Sequence, residues 1–148
     1  MFRGSSHHTL DAKGRIIIPA RFRDHIKADG RYGVMVTTMD SCLFAYPFAE
    51  WHKIENKILS LAETSEDMRQ FRRVFIGGAH ECLCDKQDRI LIHPTLREQA
   101  GLEKEITLVG VLSYFEIWSR EKLEQQKMVL QENMQKEELR NEIAKLGI

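Results

Sequence analysis

The sequence contains one short pattern twice, an aspartate followed four residues later by an arginine that opens an aliphatic run. The first copy reads DAKGRIII from Asp11, and the second reads DKQDRILI from Asp85, 74 positions further along. Each copy has about 45 residues, too few to bury a stable core alone. The two copies are therefore expected to fold together as one pseudo-symmetric unit. The residues that match at this offset include Arg15 and Arg89, Ile16 and Ile90, Ile18 and Ile92, and Arg23 and Arg97.

Each copy predicts the same order of local structures. A strand leads to the aspartate, a tight turn follows, and a second strand leaves from the arginine. Gly14 and Asp88 occupy the same place in the two turns, and both residue types tolerate the left-handed backbone that such turns often need. Proline and glycine then bound a short helix, from Pro19 to Gly30 in the first copy and from Pro94 to Gly101 in the second.

Two further strands complete each copy. The first copy supplies YGVMVTTM and CLFAYP, and the second supplies EITLVGVL and YFEIW. Short turns are predicted at Asp40-Ser41 and around Ser113. The expected fold class is mainly β with α, in which the two copies complete one β-barrel.

The remaining segments are predicted to be helical. Apolar residues recur at spacings of three and four from Trp51 to Leu61, and Thr64 or Ser65 can cap a second helix. A last helix is predicted from Ser119 toward Leu146, and its apolar face slips in phase after Met134, which argues against a long coiled coil. The predicted organisation is a first repeat over 5–51, a helical linker over 52–78, a second repeat over 79–122 and a C-terminal helix or tail over 123–148.

Composition favours a cytoplasmic protein. No run among the 148 residues approaches the roughly 20 apolar residues that span a bilayer, and the start MFRGSSHH lacks a secretory pattern. The three cysteines, Cys42, Cys82 and Cys84, are too sparse for a disulfide scaffold.

The formal net charge is zero, but the charges are unevenly placed. Residues 1–31 contain seven basic and three acidic side chains, a formal charge of +4. Residues 85–118 contain four basic and six acidic side chains, a formal charge of −2. This separation favours an anionic partner at the first copy.

Several motifs resemble the MraZ family of bacterial transcriptional regulators. They are the hairpins DAKGR and DKQDR, the opening MFRG, IPARFR after the first hairpin and LREQAGL after the second. The resemblance extends to about residue 125. It implies two SpoVT-AbrB-type repeats that form a tandem swapped-hairpin barrel of the double-psi, AbrB-like type.

The resemblance also implies a function. Family members bind short direct repeats in the promoter of the gene cluster for cell division and cell-wall synthesis, and they assemble as rings. They act on their own operon and associate with the nucleoid. The expected partners are therefore double-stranded promoter DNA and further copies of the chain, whereas no cofactor, metal ion, small-molecule substrate or catalysis is expected.

Arginine suits this function because its planar group can grip phosphate oxygens, or the O6 and N7 atoms of guanine, with two hydrogen bonds. By its match to the family motif, Arg15 is the first candidate for a critical DNA contact. The second copy departs from the family pattern at Asp88 and His93, so it is expected mainly to support the fold. The predicted DNA-binding residues are Arg3, on a mobile start, and Lys13, Arg15, Arg21 and Arg23. The residues predicted to serve the hairpins structurally are Asp11, Gly14, Asp85, Arg89 and Arg97.

Two enzyme-like or metal-binding alternatives fit parts of the sequence. The repeated aspartates on a pseudo-twofold barrel are similar to the pair in acid proteases, but the arginine after each one would keep it ionised and prevent proton sharing. His80, Cys82 and Cys84 could bind a metal, but their alternate spacing suits an ordinary strand and a fourth ligand is not obvious nearby.

An antitoxin of the AbrB type is a third alternative. Its barrel would carry a tail that wraps a toxin, and such tails are usually acidic and disordered. Here residues 119–148 contain six acidic and six basic side chains with clear apolar spacing. The composition of the tail therefore favours a helix over a toxin-binding extension.

Overall fold

The computed structural model describes residues 1–28, 30–61 and 65–148. The first copy contains β1 (Ser5–Thr9), β2 (Arg15–Ile17), α1 (Ala20–Arg23), a 3₁₀ turn (Asp24–Ile26), β3 (Lys27–Ala28), β4 (Arg31–Met39) and β5 (Cys42–Tyr46). Two helices follow, α2 (Phe48–Ser60) and α3 (Glu66–Phe75). The second copy contains β6 (His80–Leu83), β7 (Arg89–Leu91), α4 (Pro94–Gln99), β8 (Glu105–Val111) and β9 (Tyr114–Ser119). The chain ends in α5 (Arg120–Asn133) and α6 (Glu137–Ala144).

The first strand of each copy pairs with the other copy. β1 lies antiparallel to β8, with Ser5 opposite Val109. β6 lies antiparallel to β4, with Val34 opposite Cys82. β5 and β9 join the copies in the same sheet, and β2 and β7 form a separate two-stranded ribbon. Each copy therefore completes its backbone hydrogen bonding only with the other, as its small size requires.

The main sheet buries both of its faces. The ribbon, α1 and α4 cover one face, where Ile16 and Ile90 belong to the same buried aliphatic cluster as Val34 and Ile106. On the other face α2, α3 and the start of α5 cover an aromatic cluster. β5 is buried along its whole length because its alternate side chains enter the two clusters. The aromatic cluster is built from Phe44, Tyr46, Trp51, Phe75 and Trp118 with Cys42.

Most of the sequence-predicted elements are confirmed. The four long strands lie within one residue of their predicted bounds, and Pro47 and Ser119 precede α2 and α5. The backbone is left-handed at Gly14 (φ 84°) and at Asp88 (φ 62°), as the turn pattern predicts. Ser65 caps α3 by accepting a hydrogen bond from the Met68 N–H, whereas the alternative cap at 64 lies outside the described residues.

Two helix predictions are wrong in their bounds. The first-copy helix ends at Arg23, and the chain then makes a 3₁₀ turn that buries Ile26 and enters β3. Gly30 (φ 75°) consequently lies in the turn between β3 and β4 and does not end a helix. The C-terminal helix is divided into α5 and α6 directly after Met134, where its apolar face changes phase. A change of phase leaves no continuous face for one helix to pack.

The sheet is antiparallel and mixed with helices, but a closed barrel is not confirmed. The described strands pair in the order β1-β8-β9-β5-β4-β3, with β6 also on β4. This path is open between β1 and β6. The ribbon connects these two strands, because β1 leads into β2 and β6 leads into β7.

No helix within the described ranges combines the length and the apolar character that crossing a membrane requires.

Gly14→Ala is expected to destabilise the protein more than Gly30→Ala. Both glycines have a left-handed backbone, so each substitution adds about 1–2 kcal/mol of strain. A Cβ at Gly14 would also lie 2.6 Å from Cζ of Arg97, whereas none of the described residues lies within 4 Å of a Cβ at Gly30. Urea unfolding should show the larger loss of unfolding free energy for Gly14→Ala. Equal losses would show that Arg97 moves aside without cost.

Candidate nucleic-acid interface

Each hairpin turn is closed by its aspartate. Asp11 Oδ1 accepts the backbone N–H groups of Lys13 and Arg15, each at 2.9 Å, and its Oδ2 accepts the Nε–H of Arg15 at 2.7 Å. Asp85 makes the same three hydrogen bonds in the second turn, including one from Arg89 Nε at 2.8 Å. The repeated motif is therefore a local clamp that ties the turn to the first residue of the next strand.

The clamp keeps both carboxylates ionised. The pKa of Asp11 lies below its ordinary value chiefly because the Arg15 backbone N–H donates to it, and the Arg15 side chain adds to the effect. The pKa of Asp85 is lowered in the same way by Arg89. Each carboxylate has its own arginine, so the geometry is that of two separate ion pairs and not of a dyad that shares a proton.

The ribbon of β2 and β7 presents a regular outer face. Ile16 lies opposite Ile90, and both side chains are buried beneath the ribbon. The neighbouring positions alternate to the other side, where Ile17 and Leu91 are 50% and 55% exposed. Arg15 lies opposite Leu91, and Arg89 lies opposite Ile17, which gives the face a pseudo-twofold pattern. The outward residues are Arg15, Ile17, Arg89 and Leu91.

The strand exchange also exchanges arginines between the turns. Arg23 extends from the first copy to the second turn, where its Nη1 lies 3.2 Å from Asp88 Oδ2. Arg97 extends from the second copy to the first turn, where its guanidinium group covers Gly14. Each of these arginines also donates its Nε–H to a backbone carbonyl of its own copy. Sequence reasoning grouped Arg23 with Arg15 and missed Arg97 at the first turn, because the pairing of β2 with β7 has no local signal.

Asp88 makes the two turns electrostatically different. Its carboxylate accepts a hydrogen bond from Tyr32 Oη at 2.7 Å in addition to the ion pair with Arg23. Gly14 contributes no charge at the matching place. The first turn therefore has three cationic side chains and one carboxylate, whereas the second has three cationic side chains and two carboxylates. The cationic side chains are Lys13, Arg15 and Arg97 at the first turn, and Lys86, Arg89 and Arg23 at the second.

Arg15 and Arg89 differ in their neighbours. Arg89 Nη2 donates to Gln87 Oε1 at 3.1 Å. Lys13 occupies the place of Gln87 in the first turn, and an ammonium group cannot accept such a hydrogen bond. The clamp with Asp11 uses the Nε–H of Arg15, and no hydrogen bond joins the terminal N–H groups of this arginine to the described part of the chain.

The other two predicted DNA-binding residues lie near the beginning of the chain. Arg21 is exposed, and its guanidinium group is packed beside Gly4. The pKa of His8 is lowered mainly by the burial of its ring and, second, by the positive charge of Arg21. The expectation of a mobile start for Arg3 is wrong, because Phe2 is buried and exchanges two backbone hydrogen bonds of 2.8 Å with Leu112. Arg3 is thus exposed on an anchored segment.

The surroundings of His80, Cys82 and Cys84 are those of ordinary strand residues and not those of a metal site. The His80 ring stacks on the His93 ring at 4.4 Å between centroids, and Cys82 is buried. Burial raises the pKa of the Cys82 thiol to about 12, which keeps it protonated and a poor metal ligand. Among the described residues, no three His, Cys, Asp or Glu side chains are grouped to hold a metal ion.

Two homologous halves that exchange strands define a tandem-repeat protein, and comparison with known proteins identifies its family. A family model described as "MraZ protein, putative antitoxin-like" matches residues 1–74 and again residues 75–143. Proteins named "Transcriptional regulator MraZ" from three bacteria match this chain over 148 residues. Each match covers the full length of this chain and of the relative. The identities are 59% in Desulforapulum autotrophicum, 53% in Desulfosudis oleivorans and 44% in Acetivibrio thermocellus. This chain therefore belongs to the MraZ family, as its two hairpin motifs predict.

The double variant Asp11→Asn with Asp85→Asn removes both clamp carboxylates. Its free energy of unfolding is expected to fall less steeply with decreasing pH than that of the wild type. The lowered pKa means that the unfolded chain takes up these protons first as the pH falls. The stabilising effect is therefore complete above the ordinary aspartate pKa of about 3.9 and is lost below it, toward the folded values. Chemical unfolding from pH 6 to pH 2 measures this slope.

Asp40→Asn is the matched control, because Asp40 is an exposed turn aspartate and asparagine tolerates its left-handed backbone. The control should leave the wild-type slope below pH 4 nearly unchanged. A double variant with the same acid dependence as the wild type would contradict the role of the clamps.

Proposed function

We propose that this protein is a transcriptional regulator that binds double-stranded DNA with the outer face of the β2–β7 ribbon. The observation that carries the proposal is the exposed, cationic, pseudo-twofold face of that ribbon. A two-stranded antiparallel ribbon fits the major groove of B-DNA, which is about 12 Å wide. The relatives named as transcriptional regulators support the same conclusion, since a regulator of transcription needs a DNA-contacting surface.

The geometry supports a specific role for Arg15. Its Nε–H is held by Asp11, which fixes the plane of the guanidinium group while its terminal N–H groups take no part in the clamp. A fixed guanidinium group loses little entropy when it binds guanine or a phosphate. Ile17 and Leu91, exposed beside it, suit contact with thymine methyl groups.

The remaining cationic residues are suited to the DNA backbone. Lys13 is exposed at the tip of the first turn, and Arg97 covers the same turn from the other copy. Arg3 and Arg21 would reach phosphates beyond the ribbon. Arg23 stays in the proposed set, but its ion pair with Asp88 reduces the charge that it offers. Because phosphate contacts release counterions, these residues would contribute affinity more than sequence preference.

The second turn would contribute less than the first. Asp88 adds a carboxylate beside Arg89, and Gln87 binds a terminal N–H group of that arginine. The proposed division is that Arg15 contacts DNA, whereas Arg89 chiefly closes its own turn with Asp85. The unequal charge of the two turns supports this division.

The proposal includes the architecture and the assembly. The reciprocal pairing of β1 with β8 and of β6 with β4 would be the swapped-hairpin exchange of an AbrB-like barrel, closed by the ribbon. Its parts would be the repeats 5–51 and 79–122, the linker 52–78 and the tail 123–148. Several chains would form a ring, so that several ribbons meet successive direct repeats and raise the avidity.

The proposed target is the promoter of the protein's own operon, in the gene cluster for cell division and cell-wall synthesis. The protein would then act in the cytoplasm, in association with the nucleoid. This role uses neither catalysis nor a cofactor.

An antitoxin is a second candidate, and the words "antitoxin-like" in the family description favour it. A toxin-wrapping tail commonly becomes ordered on binding. The tail of this chain is already folded as α5 and α6, which supports the regulator over the antitoxin. If the purified protein alone bound operator DNA at full affinity, without a toxin partner, the result would support the regulator over the antitoxin.

Arg15→Ala is expected to weaken binding to promoter DNA by about 10-fold to 100-fold or more, because one well-placed arginine contact contributes about 1–3 kcal/mol. Arg89→Ala is the matched control, since it removes an identical ion pair from the second turn. Fluorescence anisotropy on the upstream DNA measures both variants, and sedimentation should show an unchanged assembly. Equal losses for the two variants would contradict the proposed division between the turns.

Binding is expected to require at least two correctly spaced direct repeats and to fall steeply with salt. For 6–10 phosphate contacts the affinity should drop about 10³-fold or more between 50 and 200 mM salt. Footprinting the upstream region, followed by titration of one-repeat and multi-repeat DNA, measures the effect. If one isolated repeat bound as tightly as an array, the assembly argument would fail.

A further inference from the structure

The C-terminal helices expose an apolar surface that the chain itself does not cover. Among the described residues, every side chain from Glu124 to Ile148 is exposed or half-exposed. Met128 and Val129 on α5 are 64% and 46% exposed and lie on the same side of the helix as Glu132, whereas Leu130 and Met134, also exposed, lie on the opposite side. The start of α5 packs on the aromatic cluster through Leu123, whereas the helix from Glu124 onward has no buried side chain among the described residues. This surface is therefore suited to packing against another molecule.

A groove between α2 and α3 has the complementary character. It has a volume of about 540 Å³, and Ile58, Leu59 and Ile76 supply its apolar lining. Leu59 at the rim is 73% exposed. The charged lining residues among those described are Arg69, Arg72 and Arg73 with Glu55, a formal charge of +2. The groove thus offers apolar contact edged by arginine.

The charge of the exposed helical segment is opposite to that of the groove. Residues 128–138 contain Glu132, Glu137 and Glu138 against Lys136, a formal charge of −2. The three glutamates are exposed. We infer that residues 128–138 of one copy bind in the α2–α3 groove of a second copy, with Met128 and Val129 buried and the glutamates paired with Arg69 and Arg73.

The position of the groove fits this assignment. α2 and α3 cover the aromatic cluster on one face of the sheet, whereas the β2–β7 ribbon covers the opposite face. An interface through α2, α3 and the tail would leave the outward face of every ribbon uncovered. The contact is heterologous, since tail and groove are different surfaces, so it can link successive copies into a ring.

A second copy is a better occupant than DNA. DNA would use the arginines but would gain little from the exposed Leu59 and its apolar neighbours. A tail segment can contact both the arginines and the apolar lining of the groove, because it carries acidic and apolar side chains together. The inference rests on the proposed assembly of several chains and names the surfaces that would hold it together.

Charge reversal with complementation tests the contact in the full chain. The groove variant combines Arg69→Glu with Arg73→Glu, and the tail variant combines Glu132→Arg with Glu137→Arg. Each variant alone brings like charges together and is expected to sediment as a smaller species than the wild type. An equal mixture of the two restores opposite charges at every contact, so it is expected to recover the wild-type sedimentation coefficient.

The matched control is Lys53→Glu with Lys57→Glu, which makes the same charge change on exposed residues of α2 outside the groove. It should sediment as the wild type does. Circular dichroism should show native helix content in all variants, because the four altered residues of the groove and tail variants are exposed. If a reversal variant were misfolded, the corresponding glutamine variants, Arg69→Gln with Arg73→Gln or Glu132→Gln with Glu137→Gln, would take its place, and partial dissociation would be expected.

The outcomes separate this inference from the proposed function. A wild-type assembly that is unchanged by either reversal, or a mixture that does not reassemble, would overturn the tail-in-groove contact alone. A wild-type protein that sediments as a monomer would overturn the proposed ring as well. Loss of affinity for a single DNA repeat in the groove variant, with assembly intact, would assign the arginines to DNA and also overturn the inference.

Discussion

The reciprocal pairing between the two copies is the constraint on which the rest of the structure depends. β1 completes its hydrogen bonding on β8, and β6 completes its own on β4, so neither copy has a finished sheet without the other. The same exchange brings β2 against β7 and thereby creates the ribbon. It also places Arg97 over the first turn and Arg23 over the second. Sheet, ribbon and charge pattern thus follow from one topological feature.

The aspartate clamp makes this exchange compatible with a cationic outer face on the ribbon. The clamp takes up two backbone N–H groups of the turn, which would otherwise lack partners in a tight hairpin. Only the backbone N–H and the Nε–H of each arginine enter the clamp, so the terminal N–H groups take no part in closing the turn with the aspartate. The hydrogen bonds that stabilise the turn therefore use different atoms of the guanidinium group from those that the proposed DNA contact would use. Only the neighbouring residues, Lys13 or Gln87 and Gly14 or Asp88, make the two copies unequal.

Burial of both faces of the sheet separates the possible functions in space. The aliphatic cluster supports the ribbon, and the aromatic cluster supports α2, α3 and the start of α5. A surface for DNA and a surface for assembly can then lie on opposite sides of one sheet. Strands buried on both sides leave little alternation of polar and apolar residues, as β5 shows with five buried residues in succession.

The sequence by itself determined the repeat, the two left-handed turn positions, most strand bounds and the family, because these depend on local backbone preferences and on residue identity. It also showed the change of phase after Met134, although it predicted one C-terminal helix where the structure has two. The tertiary structure alone decided which arginine lies at which turn, that Phe2 anchors the start, and that the sheet is covered on both faces. The contacts of the two arginines and of Phe2 join residues about 65 to 110 positions apart, and such contacts leave no periodic signal in the chain.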